Sequence, residues 1–542
     1  MSKGIGTAVN GPNAMTGQID LCLLSPLDAD RLFTNLYVNS QGRTELNVNA
    51  AQRTGTHSAN VLMMQGNLFQ QEMDQNHDGF MDQPRTKRFN VMDRWMMQTD
   101  KRTTQAALRY VTDERRGGQL ERMAGEHSGH PRYAVDIDNK LVDAFVKNGW
   151  IMGPLGRTSI GLIAAGRLHT ANAAFGERSY EGEQRSGYLS AVYQQVMTNN
   201  DQLKAGLTYQ FDDYTELYRA GAAPTLDLGR TERTPGAFAE YTRSRKGITL
   251  VGGLRADANS YYGTVVSPRL HVKYDIGPLT TIRFSSGRAF RSANPLVENA
   301  SALASSRAVV VEGPLGLERA WNNGISFLHK FKWAGKKWAV GVDAYRTDLT
   351  DQVVADLDRS PQVLALYMLK GASFANSVLA DIQVGLTRQL DLKVSYRWYD
   401  VRTTYGGVLR ERPFVPTHRG LLDLAYTSRN EQWRFDITLN GFGTARIPDT
   451  QSDPEGHRLP QRSPAYATLN AQLSRVLGAW EVYVGGENLT STLQQRQIIA
   501  PEDPFGPYFD ASMIWGPTNT AMVYGGVRFT LKKKASDTPT HE

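Results

Sequence analysis

Hydrophobic and polar residues alternate with a period of two along most of this chain. Residues 431–440, EQWRFDITLN, put Trp433, Phe435, Ile437 and Leu439 on one face of an extended strand. Arg434, Asp436, Thr438 and Asn440 fall on the other. Residues 391–400, DLKVSYRWYD, repeat the pattern, with Leu392, Val394, Tyr396 and Trp398 opposite Lys393, Ser395, Arg397 and Tyr399. Leu203, Ala205, Leu207, Tyr209 and Phe211 do the same against Lys204, Thr208, Gln210 and Asp212. About 22 such strands can be placed, the first near residue 31 and the last near 520, with starts near 186 and 235 among them. Helical periodicity is scarce.

The connections decide what the two faces meet. Short ones such as TNND (198–201), RKG (245–247), WAGKK (333–337) and LGA (477–479) alternate with long ones. The long ones include 67–86, 112–131, 214–233, 290–317, 348–370, 443–463 and 489–519. A soluble sandwich would also alternate along each strand, but its oily face would meet a second sheet and its loops would not segregate by length. Tight turns at one end and long loops at the other mark an outer-membrane barrel, with the oily face toward lipid and the polar face toward a wide lumen. The expected fold is therefore all-β, a transmembrane antiparallel barrel of about 22 strands. A lumen that wide is too large for side chains to fill and usually holds a plug.

Composition sharpens this. Hydrophobic residues are 40% of 542 and the mean hydropathy is −0.43, with no apolar run of about 18 residues to form a transmembrane helix. The net charge of +7 is spread along the chain, with no basic run beyond Lys532, Lys533 and Lys534, so nucleic acid is not an expected partner. Cys22 is the only cysteine, which excludes an internal disulfide. No nucleophile elbow, phosphate loop or metal-protease helix is present, so an enzyme is not expected. The start, MSKGIGTAVN, lacks the apolar stretch of a signal peptide and by itself would suggest the cytoplasm.

Several stretches resemble the TonB-dependent outer-membrane receptors. They are GLRADANSYYGTVVSPRLHVKY (253–274), LTTIRFSSGRAFRSANPLV (279–297), LERAWNNGISF (317–327), VDAYRTD (342–348), a late Gly-x-Asn-Leu element at 486–489, and the closing YGGVRFTL. VNGPNAMTGQID and DQNHDGFMDQP are most similar to receptors of the Bacteroidetes type. The resemblance covers nearly the whole chain. It implies residence in the cell outer membrane and TonB-coupled uptake of a scarce solute, such as an iron–siderophore or other metal chelate. It also implies lipid, the TonB complex and that chelate as partners of a monomer. Residues 1–26 resemble only the end of a plug domain, 27–532 the barrel, and 533–542 a polar tail. A signal peptide, TonB-contact segment and most of a plug have no counterpart. The expectation is therefore a fragment or a late gene start, and the alternative is a passive large-pore barrel whose absent plug is real.

Three groups of residues are candidates for chemistry. Asp74, Asn76, Asp78 and Asp82 form D-x-N-x-D-G-x-x-D in a long loop, with Gly79 at the turn. Oxygen ligands at alternate positions can converge on Ca²⁺, and the same residues suit an Asx-rich turn that binds nothing. No other cofactor is expected. Met123, His127 and His130, with Met73, Met81 and His77 on the neighbouring loop, offer thioether and imidazole to copper or zinc, or are solvated loop residues. Arg283 and Arg288, with Arg291, could clasp an anionic chelate in the lumen or pair with carboxylates. Trp95, Trp333, Trp398 and Trp433 near strand ends fit an interfacial aromatic girdle.

Overall fold

The computed structural model describes residues 2–121, 132–153 and 155–533. Twenty-two antiparallel strands close into one barrel. The ring is sealed by pairing of the last strand, Met522–Leu531, with the first, Leu32–Asn39, so that Leu531 faces Leu32 and Val527 faces Leu36. Closure leaves no unpaired edge, which lipid requires because it offers backbone groups no hydrogen bonds. Two short segments, Leu226–Asp227 and Val408–Glu411, pair onto tall strands as hairpin extensions.

The oily face points outward. Trp433, Phe435 and Leu439 are exposed there, while Thr438 on the inner face donates to Asp423 at 2.7 Å. All ten connections at one end span two to five residues, from 54–57 to 478–479. The other end carries eight connections of nine residues or more, and three short ones at 40–43, 176–177 and 260–262. Tryptophans mark the rim of the short-turn end. Trp95, Trp333, Trp433 and Trp480 are exposed and lie within a few residues of a turn. On the outer face beside one turn, Phe327, His329, Phe331 and Trp338 stack in sequence with centroids 5.4–6.3 Å apart. Trp398 sits on the outer face but nearer the long-loop end, opposite His418.

Six consecutive strands, from Arg102–Gly118 to Arg230–Arg245, run 16 to 20 residues. A strand needs only about 9–11 residues to cross the apolar core of a bilayer. The surplus forms a tall wall at the long-loop end. It explains where the sequence reading placed boundaries wrongly. The strand expected near 186 begins at Arg178, and the one expected near 235 begins at Arg230. Above the lipid the outer face carries Glu181, Glu183 and Arg185, so pairing continues after the oily alternation has stopped. The expected loops 112–131 and 214–233 are shorter for the same reason, since pairing persists to Gly118 and Ala220.

The N-terminal segment lies inside the barrel. Ser2–Lys3 pairs with Gly17–Gln18, and a single 3₁₀ turn, Ala8–Asn10, presses on the inner wall. Ala8 is fully buried and Ile5 nearly so. The wall makes room with glycine: a Cβ on Gly253 would stand 2.9 Å from the Ala8 Cβ, and one on Gly287 3.0 Å from Ile5 Cδ1. Arg269, itself buried, donates to the carbonyls of Gly6 (3.2 Å), Thr7 (2.6 Å) and Pro12 (3.2 Å). Glu240 accepts from the Ala8 N–H at 3.1 Å, and Lys3 pairs with Asp343. Further on, Arg94 donates to the carbonyls of Leu23 and Leu24.

Candidate functional site

The long loops fold together into a cap over one mouth of the barrel. Within it, Ala308–Glu312 pairs in parallel with Val363–Met368, which pairs antiparallel with Val353–Ser360. This small sheet buries Leu364 and Leu366 against Leu296 and Leu303, and these against Phe175, Tyr180 and Tyr218 of the tall wall. A second cluster joins Ile447, Leu459, Ile499 and Met513, and a third joins Phe80, Tyr133 and Phe509. Burial among those rings pushes the Tyr133 hydroxyl well above the usual range. At the centre, Arg307 is 1% exposed, with Nε on Asp510 at 2.9 Å and Nη1 on the carbonyls of Leu357, Ser360 and Val363. That guanidinium joins three loops in one buried knot.

Under the cap lies a cavity of about 450 Å³. Its apolar wall includes Val354, Leu357 and Ile514, its aromatic wall Tyr405 and Phe414, and Met15 of the N-terminal segment reaches its floor. Asn294 leads into the one-turn helix Pro295–Glu298, whose Pro295 holds the helical φ at the first position. The turn carries Glu298 to Arg291, which it meets at 2.7 Å, and Glu318 meets the same guanidinium at 2.6 Å. Two carboxylates against one guanidinium leave a formal −1 around Arg291. Arg412 also lines the cavity, is exposed, and forms no ion pair among the described residues. Phe414 beside it has φ 61°, a left-handed backbone that is costly for an aromatic residue and is held here by its N–H on the Arg446 carbonyl at 2.9 Å. The cavity thus offers one free cation, two rings and an apolar wall. Sequence reading missed Arg412 and Phe414, because RERPFVP carries no alternation and no motif.

The expected residues fall in three places. Met123, His127 and His130 lie outside the described residues. Arg283 faces the lumen and is exposed, but Arg288, five positions along, turns to the outer face opposite Trp321. The two cannot clasp one ligand, because an odd spacing puts them on opposite faces. Of the three arginines only Arg291 reaches the capped cavity, and there it meets carboxylates.

Asp74, Asn76, Asp78 and Asp82 do lie together in loop 70–84. Asp74 accepts from the N–H groups of Asp78 and Gly79 at 3.1 Å each, Asp78 from Phe80 at 2.9 Å, and Asp82 from Gln75 at 2.7 Å. Asn76 donates to Asp78 at 2.8 Å. His77 (φ 60°) and Gly79 (φ 83°) supply the left-handed turns. Burial, then the neighbouring Asp74 and Asp78 charges, pushes the Asp82 carboxyl up to about 6, and burial raises Asp78. Among the described residues no group of three or more His, Cys, Asp or Glu is arranged to hold a metal ion.

A family model described as TonB dependent receptor-like, beta-barrel, matches residues 34–489. A search of curated proteins gave no match. Among solved structures, the copper transporter OprC is similar at 14% identity and TM-score 0.71, over 97% of this chain and 85% of that one. The siderophore receptor PirA from Pseudomonas aeruginosa is similar at 13% and 0.66, over 97% and 85%. The FrpB iron transporter from Neisseria meningitidis is similar at 15% and 0.68, over 97% and 86%. At these identities the likeness is one of fold.

Proposed function

Since the chain belongs to the TonB-dependent receptor family, whose members are outer-membrane barrels, we propose that it takes up a scarce metal as an anionic chelate, driven through TonB. The capped cavity carries the reading. Arg412 would meet the negative charge of the chelate, Tyr405 and Phe414 would face its planar groups, and the cap would close over it. Receptors for siderophores, iron and copper among the similar structures support the solute class. On this reading the long loops face the medium and the short turns face the periplasm.

The test is uptake of radioactive iron bound to anionic chelators by cells with and without the gene. Deletion should abolish uptake of at least one chelate, and a protonophore should do the same in intact cells. A passive pore would instead admit small neutral solutes, insensitively to protonophore. Calcium at Asp74, Asn76, Asp78 and Asp82 is a subsidiary proposal. The neighbouring Asp74 and Asp78 carboxylates, which after burial help to raise Asp82, support it, and the backbone donors that already occupy Asp74 weigh against it.

A further inference from the structure

A shallow groove of about 480 Å³ lies on the outer face of the tall wall, in the half of the apolar belt nearer the short turns. Asn148, Leu162 and Ala191 follow one another in a row across adjacent strands, and Val146, Ala164 and Leu189 form the row beyond. Each row sets an alanine beside larger side chains, so the wall is dented at Ala164 and Ala191. The face is fixed independently. Glu240 reaches the N-terminal segment inside the barrel and is paired opposite Lys204. Leu207, opposite Ala191 and three positions from Lys204, therefore points outward, and it is exposed. Asn148 and Val146 lie two and four residues inward of Trp150. The two rows therefore sit about 5 and 10 Å deeper than that ring, at 3.3 Å per residue and a tilt near 40°.

One end of the groove is polar. Asn148 Oδ1 accepts from Thr104 Oγ1 at 2.7 Å and from Arg102 at 3.3 Å. All three side chains stand on the outer face, and the guanidinium lies 5.9 Å from the Trp150 ring. An asparagine turned toward lipid is costly, and here it ties a cation to the mouth of the groove. Arg102 is exposed and forms no ion pair among the described residues. Several outer arginines at the long-loop end are matched instead: Arg116 meets Asp138 at 3.0 Å, Arg185 meets Glu183 at 2.6 Å, and Arg346 meets Asp348 at 2.6 Å. The adjoining turn adds Asp100 and Lys101, which offset one another and leave the formal charge of Arg102.

We propose that this groove holds one anionic phospholipid, with its phosphate on Arg102 and one acyl chain lying along Ala164 and Ala191. A guanidinium carries five N–H donors and Asn148 takes one, which leaves a bidentate edge for phosphate oxygens. The acyl chain alone confers little, because in a bilayer every competing chain is as apolar as the groove. Charge therefore selects the lipid, and the dent fixes where the selected lipid lies. Binding here is independent of the transported solute.

Native mass spectrometry tests it. The whole chain, folded in a non-ionic detergent, is mixed with phosphatidylglycerol and phosphatidylcholine of identical acyl chains. One phosphatidylglycerol per barrel should survive release of the detergent, in preference to phosphatidylcholine. Arg102→Gln should cut that preference about tenfold, the loss of one charge-assisted hydrogen bond. Arg475→Gln should leave it unchanged, although Arg475 also sits on a rim tryptophan, 4.8 Å from the Trp433 ring. Ala164→Phe with Ala191→Phe should fill the dent and release the lipid while Arg102 stays in place. Excess inorganic phosphate should not displace it. Heat-modifiable gel mobility confirms that each variant has folded. Equal retention of the two lipids by the parent chain, or an unchanged preference in Arg102→Gln, overturns the proposal. Equal loss in Arg475→Gln also overturns it, because rim arginines in general would then hold the lipid. Retention by the filled variant, or displacement by inorganic phosphate, removes the groove from the binding and overturns it as well.

Discussion

Arg269→Met should release the N-terminal segment from the barrel wall while the barrel stays closed. The guanidinium is 3% exposed and gives its hydrogens to three carbonyls of residues 6–12, at 2.6 to 3.2 Å. Charge-assisted bonds contribute about 1.5–3 kcal/mol each, but the three are not additive and the freed carbonyls regain water once the segment lifts. A docking loss of about 4 kcal/mol is the reasonable figure, close to that for removing one partner of a buried pair. Methionine fills comparable space, so the strand Gly263–Ile276 keeps its register. The assay is amide exchange. Ala8 N–H, held by Glu240 at 3.1 Å, should exchange about a thousandfold faster in the variant, at 1.4 kcal/mol per factor of ten. Amides of the flanking strands should keep their rates. Protection at Ala8 unchanged to within a few-fold would refute the view that Arg269 carries the docking.

Four further outcomes are expected. Ile437 lies four residues from rim Trp433, about 10 Å deep at 3.3 Å per residue and a tilt near 40°, so Ile437→Arg should cost about 2–3 kcal/mol in a lipid refolding titration, and inward-facing Thr438→Arg under 1 kcal/mol. Arg307→Leu strands Asp510 without its partner, and loop 488–521 should become sensitive to protease on an otherwise intact barrel. Arg412→Gln should weaken binding of an anionic chelate about tenfold or more without moving the unfolding midpoint. Asp82 has a raised carboxyl, so the folded loop holds a proton between pH 3.8 and about 6 that the unfolded chain has lost. Its stability is therefore greatest at the acid end and falls as pH rises through 6, and Asp82→Asn should remove that slope and gain about 1 kcal/mol at pH 7.5 after allowing for solvent screening, read from exchange in loop 70–84.

The barrel was legible because its signal is local. Lipid demands an oily residue at every second position, as at Trp433, Phe435, Ile437 and Leu439, and closure then follows from the strand count and the turn lengths. Legibility ended where lipid ends. Residues 178–185 are paired strand in water, and their RSYEGEQR reads as a loop. The cap was opaque for a different reason. Its sheet joins Ala308–Glu312 to Val363–Met368, more than fifty residues apart, and no pattern in either segment names the other. The capped cavity inherits that opacity, since Arg412 and Phe414 become neighbours of Met15 and Ile514 only through the fold. For Arg283 and Arg288 the error was arithmetic that the sequence already contained: five is odd, and the faces alternate.

Arg307 has one more consequence. With Asp510 on one side and the carbonyls of Leu357, Ser360 and Val363 on the other, it makes distant stretches of chain into one rigid surface. On the uptake reading, in which the long loops face the medium, an antibody approaching the cell would encounter a discontinuous epitope. A linear peptide copied from any single loop would not reproduce it. Escape from such a binder could then come from a substitution far from the point of contact, through loss of the shape that all the loops hold in common.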